Sequence, residues 1–252
     1  IRRQTKGGIG NSLNDNTRLE TQKVMNFSLK GEHLLSPTVD FDWAASYSKA
    51  LEDRPNERYI QYQSANNIRL DQDLTNTYRP LVIDPYQDFS KFSLHQLTEN
   101  HNYTAEDEFG FKANVRIPLS VIPDQKGRLR AGGRVRLKSK SRDNIFYNYE
   151  PQTAFGAMNT LPLENWTGDN YAAGSQYTPG SFVDKHFLGA LDLTNPSLFT
   201  ETASAKEFLA VNYSAKESIL AGYLRWDQQI TDQLAMITGL RLERTGINYT
   251  GN

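Results

Sequence analysis

Three pairs of segments in which apolar residues recur at every second position, each pair joined by a short turn, constrain this chain more than any other feature. Successive side chains on a strand point to opposite faces, so a period of two is the signature of a sheet with one apolar and one polar side. In the first segment Met25, Phe27, Leu29, Gly31 and Leu35 share a face, and Asn26, Ser28, Lys30 and Glu32 share the other; His33 interrupts the apolar face near its end. Val39, Phe41, Trp43, Ala45 and Tyr47 then return, with Asp40, Asp42, Ala44, Ser46 and Ser48 opposite. Placing Leu35 against Val39 across Ser36-Pro37-Thr38 sets apolar positions against apolar positions throughout, which fixes the expected hairpin register.

The second hairpin runs out through Phe109, Phe111, Ala113, Val115, Ile117 and Leu119, turns around Pro123 to Gly127, and returns through Leu129, Ala131, Gly133, Val135 and Leu137. Its opposite parity is strongly basic: Lys112, Arg116, Arg128, Arg130, Arg134, Arg136 and Lys138. The third spans about Ile219 to Arg244 with a turn near Thr231-Asp232, and sets Leu234, Met236, Leu240 and Leu242 against Gly239, Arg241 and Glu243. Its outgoing strand, with Leu220, Tyr223, Leu224 and Trp226, alternates poorly, and the sequence does not assign its faces.

Each alternating segment is about as long as a tilted strand needs to cross a bilayer, whereas no stretch approaches the roughly 18 to 20 apolar residues of a spanning helix. The turns are short at one end of the hairpins, and the connections at the other end run from about Leu51 to Ala105 and from about Ser139 to Ala215. Short periplasmic turns and long extracellular loops are the asymmetry of outer-membrane barrels. The expectation is therefore an all-β fold: an antiparallel transmembrane β-barrel fragment of about six long strands in three hairpins, with short periplasmic turns and long extracellular loops. Asp84-Pro85 ahead of Phe89, Phe92 and Leu97 predicts a short helix, and Asn195-Pro196 the start of another. A soluble carbohydrate-binding β-sandwich with aromatic loops would bury the same faces and stands as the alternative, disfavoured by the loop asymmetry and the arginine-rich parity.

Composition removes several chemistries. With 28 Lys and Arg against 29 Asp and Glu, bulk charge does not recruit nucleic acid, which is not expected as a partner. Without cysteine there is no disulfide framework or thiolate chemistry. His33, His95, His101 and His186 have no metal-binding spacing, Gly7-Gly8-Ile9-Gly10 lacks the strand and helix of a phosphate loop, and Asp40 with Asp42 lacks a third catalytic partner. Neither enzyme activity nor a metal or cofactor is expected. Ile1-Arg2-Arg3-Gln4-Thr5-Lys6 has no initiator methionine and no apolar core behind it, so no signal peptide is visible and the start reads as internal.

The stretches Asn212-Tyr213-Ser214-Ala215-Lys216-Glu217, Ala221-Gly222-Tyr223-Leu224, Ile237 to Thr245 with its Gly239-x-Arg241-x-Glu243 core, and Tyr249-Thr250-Gly251-Asn252 resemble the barrel domain of TonB-dependent receptors. Val183 to Ser197 is similar to the same family, with Leu188-Gly189 ahead of Asp192-Leu193-Thr194-Asn195-Pro196. The resemblance implies a barrel of about 22 strands, plugged by an N-terminal domain, in the cell outer membrane of a Gram-negative bacterium. Residues 1–252 would all belong to that barrel, with the plug, the TonB box and the remaining strands lying elsewhere. It also implies partners: outer-membrane lipid, the TonB complex acting through the plug, and a small nutrient ligand such as a siderophore, cobalamin or an oligosaccharide. On this basis Tyr147, Tyr149, Phe155, Trp166, Tyr171 and Tyr177 of the second long connection are the candidates to stack on a ligand, Trp166 foremost. Lys112, Arg116, Arg128, Arg130, Arg134, Arg136, Arg241 and Glu243 are candidate lumen-facing charges, whose ordinary role is to pair with acidic residues on neighbouring strands.

Overall fold

A computed structural model of the chain describes residues 1–7, 19–64, 71–78, 81–83, 88–168 and 179–251. It is all-β and antiparallel. The strands are β1 (Arg2–Gly7), β2 (Thr21–Ser36), β3 (Val39–Ser64), β4 (Asp71–Asp73), β5 (Leu81–Ile83), β6 (Phe92–Pro118), β7 (Gly127–Pro151), β8 (Leu163–Asn165), β9 (Ser181–Val183), β10 (Phe199–Ala203), β11 (Tyr213–Gln229) and β12 (Ala235–Gly251). Two short helices, α1 (Lys185–Ala190) and α2 (Ala205–Phe208), lie among the later strands. One sheet runs in the order β1-β3-β6-β7-β11-β12, with β2 also on β3 and β10 also on β7; β4-β5 and β8-β9 are separate two-stranded sheets.

The six long strands form the three expected hairpins. In the first, Phe27 faces Tyr47, Leu29 faces Ala45, Gly31 faces Trp43 and His33 faces Phe41, the register that the apolar pattern demands. The pairing shifts by one only at its last rung, where Ser36 meets Val39. In the third, Leu220, Leu224 and Trp226 face Arg244, Leu240 and Thr238 on one side and Val135, Ala131 and Leu129 of β7 on the other. That settles the faces of β11: Leu220, Leu224 and Trp226 continue the apolar side, and Tyr223 joins Arg241 on the polar one.

Three strands are far longer than expected. β3, β6 and β7 hold 26, 27 and 25 residues, or roughly 85 Å of extended chain each at the usual rise. Much of what was expected as long loops is therefore strand, and Tyr147 and Tyr149 belong to β7. The extensions escape a search for alternation because neither of their faces is uniformly apolar, as in Glu57-Arg58-Tyr59-Ile60-Gln61-Tyr62-Gln63, where Glu57, Tyr59, Gln61 and Gln63 share one side and Arg58, Ile60 and Tyr62 the other. The expected helices are also corrected. Residues 84–87 lie outside the described ones, Phe89–Lys91 is a single 3-10 turn capped by the Asp88 carboxylate, and Leu97 sits in β6. No helix starts at Asn195. It closes turns, its carbonyl accepting from Leu198 N and Phe199 N, and β10 begins too soon after it for a helix to form.

The chain divides into two compact units. Unit 1 (Ile1–Glu20, Arg54–Asn102, Asn144–Phe208) has an ordinary protein core of Ile60, Tyr62, Phe92, Leu97, Met158, Leu188 and their neighbours. Unit 2 (Thr21–Asp53, Tyr103–Asp143, Leu209–Asn252) has almost none, since Ala221 is its one fully buried hydrophobic residue among those described. Its apolar side chains stand open instead: Phe27 is 63% exposed, Leu240 67% and Ile247 70%. Within this unit two glycines are sockets for aromatic rings. Trp43 lies over Gly31 and donates its indole N–H to His33 Nε2 at 3.1 Å, and Tyr223 lies over Gly132 to reach Asn114; a Cβ on either glycine would collide with the ring.

Candidate functional site

In unit 2 the sheet pleat collects the basic residues of β6 and β7 on one face, and the acids needed to balance them arrive from neighbouring strands. Arg116 lies 3.7 Å from Asp40 and 4.0 Å from Asp42, Arg130 is 3.2 Å from Asp227, and Arg136 is 2.9 Å from Glu217. Glu106 bridges Lys138 at 2.7 Å and Lys140 at 3.2 Å, while Arg241 and Glu243 pair at 2.8 Å along one strand. Asn114 donates to Asp42 at 2.7 Å and accepts from the Tyr223 hydroxyl at 3.0 Å, tying β3, β6 and β11 together. Lys112, Arg128 and Arg134 make no ion pair among the described residues, although Arg128 stands opposite Asp227 in the register. Pairs about one-third exposed stabilise by no more than about 1 kcal/mol each. They offset most of the basic charge and leave Lys112, Arg128 and Arg134 as the face's unpaired cations among the described residues.

At the hairpin turns the side chain of Gln228, 1% exposed, acts as a staple. Its Oε1 accepts from Val121 N at 3.1 Å, and its Nε2 donates to Ser120 Oγ at 3.1 Å and to Gln229 O at 2.8 Å. Every polar atom of that amide is satisfied without water.

In unit 1 the aromatic candidates separate. Tyr149 is 4% exposed and donates its hydroxyl to Glu201 Oε2 at 2.9 Å; burial and that carboxylate push its phenol well above the ordinary range. Tyr147 packs between Tyr149 and His101, with ring centroids at 6.2 and 5.9 Å. Phe155 meets Phe187 and Phe199, each at 6.1 Å. Tyr149 is part of the core and Tyr147 and Phe155 pack against it, and the strand that carries Tyr147 and Tyr149 is hydrogen-bonded along its edge to β10 instead of forming a free loop. Tyr171 and Tyr177 lie outside the described residues. Among the described candidates Trp166 alone keeps an open ring, at 46% exposure, held where its backbone N–H meets Gly180 O at 3.0 Å. It lines a cavity of about 370 Å³ with Phe182, Glu164, Lys185 and the β1 residues Gln4, Thr5 and Lys6.

Two features of this unit had no counterpart in the sequence expectations. Arg58 is a buried hub: it meets Glu99 at 2.5 Å and donates to the carbonyls of Leu188, Gly189 and Leu191 at 3.3, 3.0 and 2.7 Å, closing the C-terminal end of α1. Burial would raise the Glu99 pKa, but the hydrogen bonds from His101 and Arg58 outweigh it and hold the carboxyl below its ordinary value. The Leu188-Gly189 motif thus has a structural role, presenting carbonyls to an arginine. The second feature is a cavity of about 290 Å³ lined by Gln4, Tyr59, Gln61, Gln96, Thr98, Asn100 and Phe146, with no charged side chain among them. Its only sequence signal is polar alternation, Gln96, Thr98 and Asn100 on one parity of β6. No group of His, Asp or Glu that could hold a metal ion occurs among the described residues. No protein-family model matches the chain, and neither a curated protein nor a solved structure matches it.

Proposed function

We propose that the chain is part of the transmembrane barrel of an outer-membrane receptor of the TonB-dependent kind, which captures a scarce nutrient at the cell surface and imports it with energy delivered through TonB. The observation that carries this reading is the apolar side of unit 2, continuous across β2, β3, β6, β7, β11 and β12 and left open to the surroundings. Its extent matches a bilayer. It runs from Phe109 on β6 to Leu119, the residue after the strand's end and still hydrogen-bonded to Gly127 O, ten steps of about 3.3 Å, which at a tilt of about 40° rise roughly 25 Å, the height of the apolar band of such barrels. The opposite side carries the ion pairs of β6 and β7 with their neighbours, in keeping with a polar lumen. A β-sandwich would need a second layer over the apolar side, and among the described residues none covers it. In this reading unit 2 spans the membrane, and unit 1, with the open Trp166 ring, carries ligand recognition.

The test is cellular. The protein should fractionate with outer-membrane lipid, require detergent for extraction, and support growth on a limiting nutrient only in cells with functional TonB. Recovery in the soluble fraction without detergent, or growth indifferent to TonB, would overturn it.

A further inference from the structure

The cavity on the amide face of unit 1 has a composition that narrows what it can hold. Its floor comes from three adjacent strands: Gln61 of β3, Gln96, Thr98 and Asn100 of β6, with Gln4 of β1 at the edge. The rings of Tyr59 and Phe146 supply its apolar walls. Its polar groups are incompletely matched. Asn100 Oδ1 and Gln61 Oε1 are buried with no hydrogen bond among the described residues, and Thr98, only 2% exposed, lines the same hollow. Gln61 spends one N–H on Gln4 Oε1 at 3.0 Å, and Gln96 reaches Asn148 only at 3.5 Å. A buried polar atom without a partner forfeits its hydration and gains nothing in return, so a hollow whose lining includes two such residues is poised for a ligand that supplies the missing bonds.

The chemistry of that ligand follows from what the hollow offers and lacks. No cation lines it, and Lys6, which sits over the Tyr59 ring, is engaged by Glu57, which argues against an anionic ligand. Carboxamides and a hydroxyl each donate and accept, which suits neighbouring hydroxyl groups that also do both. Aromatic rings suit the C–H faces between those hydroxyls. At about 290 Å³ the cavity is at the lower end of small-molecule sites, room for one ring and not for a large planar chelator or a corrin. We propose that this cavity binds one neutral sugar residue of an oligosaccharide. Gln4 lines both this cavity and the one under Trp166, so a neighbouring residue of the same saccharide would reach the open indole.

The inference deepens the receptor reading by naming its substrate class, and it rests on that reading only for the import step. Its test is calorimetric titration of the full-length protein in detergent with neutral gluco-, manno- and xylo-oligosaccharides, an oligogalacturonate, and an uncharged peptide of similar length. At least one neutral oligosaccharide is expected to bind, and Asn100→Ala and the edge variant Gln4→Ala are each expected to weaken it at least tenfold while melting as wild type does. Should Asn100→Ala fail to fold, Gln4→Ala decides alone. Failure of every neutral sugar to bind overturns the proposal, whatever the peptide or the oligogalacturonate does, and so does binding of neutral sugars unaltered by a folded variant. Sugar binding without TonB-dependent uptake would leave this site standing and remove the receptor reading.

Discussion

Val115 is the position at which a lipid-facing surface and a water-facing one differ most. The apolar side begins at Phe109 on β6 and ends at Leu119, just past the strand's last residue, so its midpoint falls at residue 114, one step from Val115. With about 2.5 Å of depth per residue at a tilt of about 40°, Val115 lies about 2.5 Å from the midplane and the two ends about 12 Å from it. Val115→Arg in the full-length protein is therefore expected to cost about 2 to 4 kcal/mol, and Phe109→Arg and Leu119→Arg about 1 kcal/mol or less. The central variant should shift the folding equilibrium in liposomes by roughly 30- to 900-fold, read by denaturant titration of intrinsic tryptophan fluorescence. The profile across the three positions separates the alternatives. If the surface met water, all three costs would stay within about 0.5 kcal/mol. If another protein layer covered it, arginine would be expensive at all three positions. Either flat profile refutes a bilayer against this face.

Other consequences concern unit 1. Because Glu99 is held below its ordinary pKa of 4.5 by His101 and Arg58, despite burial acting in the opposite direction, its contribution to stability is complete above that value and is lost as pH falls through the lower folded-state value. Glu99→Gln should cost about 3 to 5 kcal/mol near neutral pH by stranding Arg58, with the gap to wild type closing below pH 4.5 in thermal melts; a gap constant with pH would contradict this. For Trp166, whose ring is 46% exposed and has little packing to lose, Trp166→Ala should reduce ligand uptake by about 30-fold with surface protease sensitivity unchanged. Normal uptake would remove it as an anchor, and easier cleavage would make it a packing residue.

The hairpins were legible because unit 2 repeats a single rule, and Phe27 opposite Tyr47 or Leu29 opposite Ala45 follows from parity and turn length alone. β11 was not, since Ile219, Ala221 and Tyr223 are as apolar as Leu220 and Leu224; only the neighbours Val135, Ala131, Leu240 and Leu242 decide between the parities. Unit 1 was opaque for a different reason. Its core joins Ile60, Leu97, Met158 and Leu188, distant in sequence and set in no common period, and the hub at Arg58 depends on carbonyls some 130 residues away. The setting of the aromatic candidates was not legible from composition: Tyr147 and Tyr149 have the side chains of a binding loop but belong to a strand that packs with the core. The charged face was legible in kind, whereas its pairing scheme required the register.

The ring-and-glycine sockets solve an assembly problem that alternation leaves open. A hairpin that slips by one residue turns its apolar side chains to the wrong face and is rejected at once, but a slip by two restores every face and escapes that check. It does not escape the sockets. Moved by two, Tyr223 would meet Arg134 or Arg130 in place of Gly132, and Trp43 would meet Leu29 or His33 in place of Gly31. The four residues thus act as alignment keys that proofread stagger between strands, and each glycine should be inherited together with its ring: a change at one is tolerated only when the other changes with it.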